Sequence, residues 1–204
     1  MTTEDRGALR EALADPSPTT RRGAIETLKR LDDVASCDAI ARLLADDTLD
    51  PAAWFERDAV VGAAARAALD QLGSSAMATG RLAVRVFIST GRFRSVVEMR
   101  EYVDQTYTED GDAIPSTFMR EVELHDYEPM AIEAIASDSE RPVPVAALLA
   151  HCSWAQRWLP ALDGARTADA AICVFSPNLV PYPERCSLQH LGVVHFVRPE
   201  EDAR

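Results

Sequence analysis

Leu82-Ala-Val-Arg-Val-Phe-Ile-Ser89 is the stretch at which this chain changes its period. Upstream, from Thr3 to Leu72, apolar residues recur three and four apart, the signature of helices that bury one stripe. In Leu82–Ser89 they are β-branched and aromatic with partial alternation, which predicts a strand. The segment between, Gly73-Ser-Ser-Ala-Met-Ala-Thr-Gly80, holds small residues without a period and reads as a linker. The expected architecture is therefore α plus α/β. A helical module occupies 1–72, a linker 73–80, and a small α+β domain 81–204 with a sheet of at least three strands.

Working upstream, Leu9, Ala12 and Leu13 share one helical face, and Asp15-Pro16-Ser17-Pro18 stops that helix. Thr19 or Thr20 is placed to cap the next, which carries Ala24, Ile25, Leu28 and Leu31. A third helix holds Ile40, Leu43 and Leu44, and a fourth, starting near Ala52 or Asp58, ends at Leu72. Working downstream, Ser95 caps a predicted helix reaching Tyr107, with Val96, Val97, Met99, Tyr102 and Val103 available to bury. Thr108-Glu-Asp-Gly-Asp112 is a turn, and Pro115-Ser116 opens a short helix with Phe118 and Met119. Pro144–His151 and Trp154–Leu162 read as helices, Ala170–Phe175 and His190–Val197 as strands, and Ala131–Ala136 as either. Trp154 and Trp158, four apart, suit core packing.

Charge is distributed unevenly. The 204 residues net −12, and Glu98–Glu140 alone, with thirteen acidic residues against Arg100 and Arg120, nets −11. A concentrated negative face attracts basic partners and speeds encounter, although runs of charge also serve simply as solvated surface. Direct nucleic-acid binding is disfavoured, because phosphates require a basic stripe. The candidate partner-binding residues are Glu98, Glu101 and Asp104, spaced by three on the predicted helix, Glu109, Asp110 and Asp112 in the turn, and Asp126 with Glu128.

Other chemistry is poorly represented. Cys186 and His190 lie four apart and invite a metal reading with His151, Cys152 and Cys173, but no Cys-x-x-Cys pair exists, and a mid-strand Cys173 suits packing as a small hydrophobe. Glu109 with Asp112, or Asp126 with Glu128, could bind a divalent cation or merely solvate turns. No nucleophile elbow joins a serine or cysteine to His125, His151 or His195, and the nine glycines form no phosphate loop. The expectation is a protein without enzymatic activity, cofactor or metal. No apolar run approaches the roughly 20 residues of a membrane helix, and the polar start Met1-Thr-Thr-Glu-Asp-Arg is unlike a signal peptide. A cytoplasmic protein with reduced cysteines is expected.

Two resemblances add to this reading. Ala-Asp-Pro-Ser-Pro-Thr-Thr-Arg-Arg-Gly-Ala-Ile-Glu-Thr-Leu-Lys-Arg-Leu (14–31) returns imperfectly at Ala45-Asp-Asp47, Pro51, Glu56-Arg57 and Ala64–Leu72. The pattern resembles HEAT repeats over about residues 3–72, with Trp54 in a lengthened second turn, either capping the hairpin core or exposed as a partner anchor. In the second half, Val84-Arg-Val-Phe-Ile precedes Met99-Arg-Glu-Tyr102, Gly111-Asp112, Ile114-Pro115-Ser116-Thr-Phe118 and Tyr127-Glu128. Leu148-Leu149-Ala-His-Cys-Ser153 and His190-Leu191-Gly192 complete the series. This order resembles the immunity protein 22 family of polymorphic toxin systems over about residues 82–198. The resemblance implies a non-catalytic α+β protein whose partner is a cognate protein toxin. The alternative is a HEAT-type scaffold that binds a protein through its helical surface and Trp54.

Overall fold

A computed structural model of the chain describes residues 3–51, 60–124, 127–137 and 141–199. The chain divides into two units, Met1–Thr79 and Gly80–Arg204. In the first, helix α1 (Thr3–Glu11) leads through a short 3-10 turn to α2 (Pro18–Arg30). Ser17, not a threonine, is the cap: its hydroxyl accepts from Thr20 N at 3.4 Å, and Pro18 occupies the first helical position, where its missing N–H costs nothing. Helices α3 (Cys37–Ala41) and α4 (Val61–Thr79) follow. Ala24, Ile25 and Leu28 of α2 are buried, as are Ile40 of α3 and Ala65, Leu69, Leu72 and Ala76 of α4.

Helix α4 corrects the linker expectation, because Gly73–Thr79 is its last two turns. The burial stripe runs on from Leu72 to Ala76, and the hydroxyls of Ser74 and Thr79 donate to the carbonyls of Asp70 and Ser75 at 2.8 and 2.7 Å. The helix stops at Gly80, whose φ of +64° suits a residue without a Cβ. Two polar contacts fix the turns of this unit. Asp33, almost fully buried, receives Arg10 through Nε and Nη2 at 3.0 and 2.8 Å. Arg21 donates to Asp46 at 2.8 Å and also to the carbonyls of Asp15 and Pro16.

The second unit is built on a four-stranded antiparallel sheet in the order Ile132–Ala136, Ala170–Phe175, Arg81–Ser89, Gln189–Val197. Along the chain come β1 (Arg81–Ser89), α5 (Val96–Val103), the two-residue strands β2 (Thr106–Tyr107) and β3 (Ala113–Ile114), α6 (Thr117–Val122) and β4 (Ile132–Ala136). Then follow β5 (Val143–Pro144), α7 (Val145–Leu148), α8 (Ala155–Trp158), β6 (Thr167–Ala168), β7 (Ala170–Phe175) and β8 (Gln189–Val197). The fold is mixed α+β, and the ambiguous Ala131–Ala136 segment is a strand from Ile132.

Strand β1 is buried on both faces, which explains why its alternation is only partial. Leu82, Val84, Val86 and Ile88 pack with Leu149 and Trp158 of the α7–α8 layer. Phe87 faces the other way, toward Tyr102, Val103, Phe118 and Val122 of α5 and α6. The Phe87 and Phe118 rings meet edge-on at 5.2 Å, a favoured aromatic geometry. Trp158 is fully buried and donates from Nε1 to Ser153 O at 2.8 Å.

Candidate functional site

The acidic residues lie on three short segments, each with its own local cause. Ser95 caps α5, its hydroxyl accepting from Glu98 N at 3.1 Å, while a Glu98 carboxylate oxygen accepts from Arg94 N at 2.8 Å. Reaching back past the cap to Arg94 gives Glu98 a structural task at the start of the helix. The helix ends at Val103, so Asp104 stands just beyond it in extended backbone and pairs with Arg100 at 3.4 Å. The expected helix to Tyr107 and the expected single face for Glu98, Glu101 and Asp104 are thus corrected. Met99, Tyr102 and Val103 are buried, but Val96 and Val97 are 52% and 66% exposed.

The second segment is the β2–β3 hairpin. Thr106 pairs with Ile114 and Tyr107 with Ala113. Its tip is fixed by Thr108 N to Asp112 O at 2.9 Å, Gly111 N to Thr108 O at 3.0 Å and Asp112 N to Thr108 Oγ1 at 3.0 Å. Gly111 has a φ of +88°, which a side chain would oppose. Glu109, Asp110 and Asp112 are exposed on this tip. Like Glu101, they have no side-chain partner among the described residues.

The third segment runs from Tyr127 to Ala131. Glu128 accepts from Met130 N at 3.2 Å and caps a 3-10 turn. Its backbone is held by Asn178, a fully buried side chain that accepts from Glu128 N at 2.7 Å and donates to Glu128 O at 3.0 Å. Met130 is 89% exposed beside it. Trp54 and Asp126 lie outside the described residues.

One network was not foreseen. Tyr102 Oη donates to Glu121 Oε2 at 2.6 Å, and Ser187 gives the same carboxylate its backbone N–H at 2.7 Å and its hydroxyl at 2.8 Å. Burial pushes the Glu121 carboxyl upward, but the Ser187 N–H, the two hydroxyls and the Arg92 charge outweigh it and hold it below its ordinary 4.5. Burial and the bond to Glu121 push the Tyr102 phenol far up, so it stays a donor. The contacts join residues 66 and 85 positions apart, for which sequence periodicity has no signal.

The cysteines are engaged in packing. The bond to the Cys152 thiol and then burial raise the Cys173 thiol well above its ordinary range, and burial also raises Cys186. Both are poor nucleophiles in this state. His190 stacks on Phe87 at 4.8 Å. Among the described residues no group of three or more His, Cys, Asp or Glu side chains could hold a metal ion, and no helix is long and apolar enough to cross a membrane.

The three acidic segments all fall within one stretch of the second unit. Residues 86–168 match the family model described as Immunity protein 22. The match supports an immunity-protein family for this unit, and it contains every acidic residue of the three segments. It also takes in the end of β1 from Val86, the hairpin, α5 and α6. No curated protein and no solved structure matches the chain.

Proposed function

We propose that this chain is a cytoplasmic, non-catalytic immunity protein that binds and neutralises a cognate polymorphic toxin through the acidic surface of its second unit. The observation that carries the reading is a coincidence of place. The segment matching Immunity protein 22 also presents four carboxylates without partners among the described residues, Glu101, Glu109, Asp110 and Asp112. Exposed apolar side chains accompany them, Val97, Tyr107 and Met130. Buried apolar contacts supply most of the affinity of an interface, while charge supplies approach and register. A basic toxin surface is the matching partner, since a protein that grips phosphates must itself be basic.

The helical unit, HEAT-like in sequence, is assigned an accessory role in orienting or extending that contact. The test is direct. The purified chain is mixed with the toxin encoded beside it, and complex formation and relief of toxicity are measured together. A toxin that neither binds nor loses potency sinks the proposal.

A further inference from the structure

At the C-terminal end of β1 the surface opens into a cleft of about 260 Å³ lined by Ile88, Ser89, Thr90, Arg92, Ser187, Leu188 and Gln189. The volume exceeds by several-fold the roughly 30 Å³ that one water occupies. The Ser89 hydroxyl is buried, its residue only 4% exposed, and has no hydrogen-bond partner. Such a group ordinarily finds one. Thr90 Oγ1 and the Gln189 amide make no hydrogen bond among the described residues.

Arg92 is held but not saturated. Its guanidinium lies 4.3 Å from the centre of the Tyr102 ring, and one terminal nitrogen donates to Ser187 Oγ. Nε and the other terminal nitrogen make no hydrogen bond among the described residues, which leaves one edge of the planar fork to the cleft. That edge matches the two oxygens of a carboxylate.

We propose that this cleft binds a small monocarboxylate, with Arg92 gripping the carboxylate edge, Thr90 and Gln189 supplying hydrogen bonds, the Ser89 hydroxyl rotating outward to add one, and Ile88 and Leu188 receiving a short apolar tail. Two neighbouring acids decide against a multiply charged ligand. Glu121 lies close enough for Arg92 to influence its ionisation, and Asp169, whose carboxylate accepts from Gly91 N, donates its own N–H to Ser89 O at 3.0 Å. A dianion would be repelled twice over. The inference stands apart from toxin binding and depends on none of the acidic surface.

The test is a titration of the full chain with sodium acetate at constant ionic strength, followed by amide NMR. Saturable shifts are expected in residues 88–92 and 187–189, with a Kd on the order of millimolar, as suits one charge-assisted contact. Arg92→Ala should weaken binding by about 10-fold or more, and Ser89→Ala by a few-fold. Ser89→Ala should leave the unliganded fold intact, because it removes a hydroxyl that bonds to nothing. Arg94→Ala, which removes an equal charge two residues away, should change nothing. The proposal is overturned by an absence of saturable shifts at about 100 mM acetate, by equal losses in Arg94→Ala and Arg92→Ala, or by inorganic phosphate binding more tightly than acetate.

Discussion

Replacing Asn178 by alanine tests whether the third acidic segment is held by one buried amide. The side chain is fully buried and makes two hydrogen bonds to the Glu128 backbone, at 2.7 and 3.0 Å. Each contributes about 1 kcal/mol net, and the space left by the amide adds about 1 kcal/mol, so the expected loss is about 2–3 kcal/mol. The backbone contacts of residue 178, N–H to Phe175 O at 3.1 Å and O from Arg85 at 3.1 Å, do not involve the side chain and should persist. The loss is therefore confined to the strap it holds.

Urea unfolding in a Trp54→Phe background lets Trp154 and Trp158 report the second unit alone. With a slope of about 2 kcal/mol per molar, the midpoint should fall by about 1–1.5 M. Asn178→Asp should be at least as harmful, since it keeps the acceptor for Glu128 N but turns a second oxygen, without a proton, toward Glu128 O. A midpoint within about 0.25 M of wild type for the alanine variant would refute the reasoning, because two buried hydrogen bonds cannot vanish at so little cost.

Three further outcomes are expected. An added Cβ at Gly62 would meet the carbonyl oxygens of Leu44 and Asp46 at 2.8 Å, and backbone cannot swing aside, so Gly62→Ala should destabilise the first unit by about 1–3 kcal/mol in thermal unfolding followed by circular dichroism; unchanged stability would contradict it. Because the Glu121 pKa is lowered by folding, its contribution is fully present above its ordinary 4.5 and is lost as pH falls through the folded value. The stability difference between wild type and Glu121→Gln should then be flat from neutral pH to about 5 and shrink below, and a difference that grows on acidification would reverse the assignment. Reversing charge at Glu109, Asp110 and Asp112 together should slow toxin association by about 10-fold or more at low salt, with the effect fading as salt rises; a rate that does not move places the contact elsewhere.

What could be read from the chain in advance was whatever depends on neighbours in sequence. Ser95 and Ser116 are the caps that their side chains suggest, Thr108–Asp112 is the turn of a hairpin, and Ala170–Phe175 is a strand because a run of apolar residues is buried on both sides. Misplacements arose where local rules compete. Thr19 and Thr20 read as caps, but Pro18 is suited to the first helical position and so leaves the cap to Ser17 before it. Gly73, Ser74 and Ser75 look like a linker, yet burial of Ala76 carries the helix through them. Beyond reach altogether were Asn178 on Glu128, Ser187 on Glu121 and the cleft beside Ser89, because each is made by segments that only the sheet brings together.

The acidity also changes meaning once the side chains are placed. Asp104 pairs with Arg100 and Glu123 with Arg185, so those charges are offset. Glu98, Glu121, Glu128 and Glu133 accept hydrogen bonds from N–H or O–H groups of the protein itself, which commits part of their acceptor capacity. Steering depends on the field of every uncompensated charge and acts over about a Debye length. Direct contact is easiest for oxygens that no donor of the protein already holds, which among the described residues of the three segments are those of Glu101, Glu109, Asp110 and Asp112. Association and dissociation of a toxin should therefore answer to different residues. Under the proposed function, neutralising Glu98 or Glu128 should lower the rate of encounter and loosen the segment it caps, whereas neutralising the hairpin tip should also shorten the lifetime of the complex. An acidic stretch that reads as a single feature in the sequence is, in the fold, a field generated by many carboxylates, and under the proposed function the grip falls to those that, among the described residues, have no partner of their own.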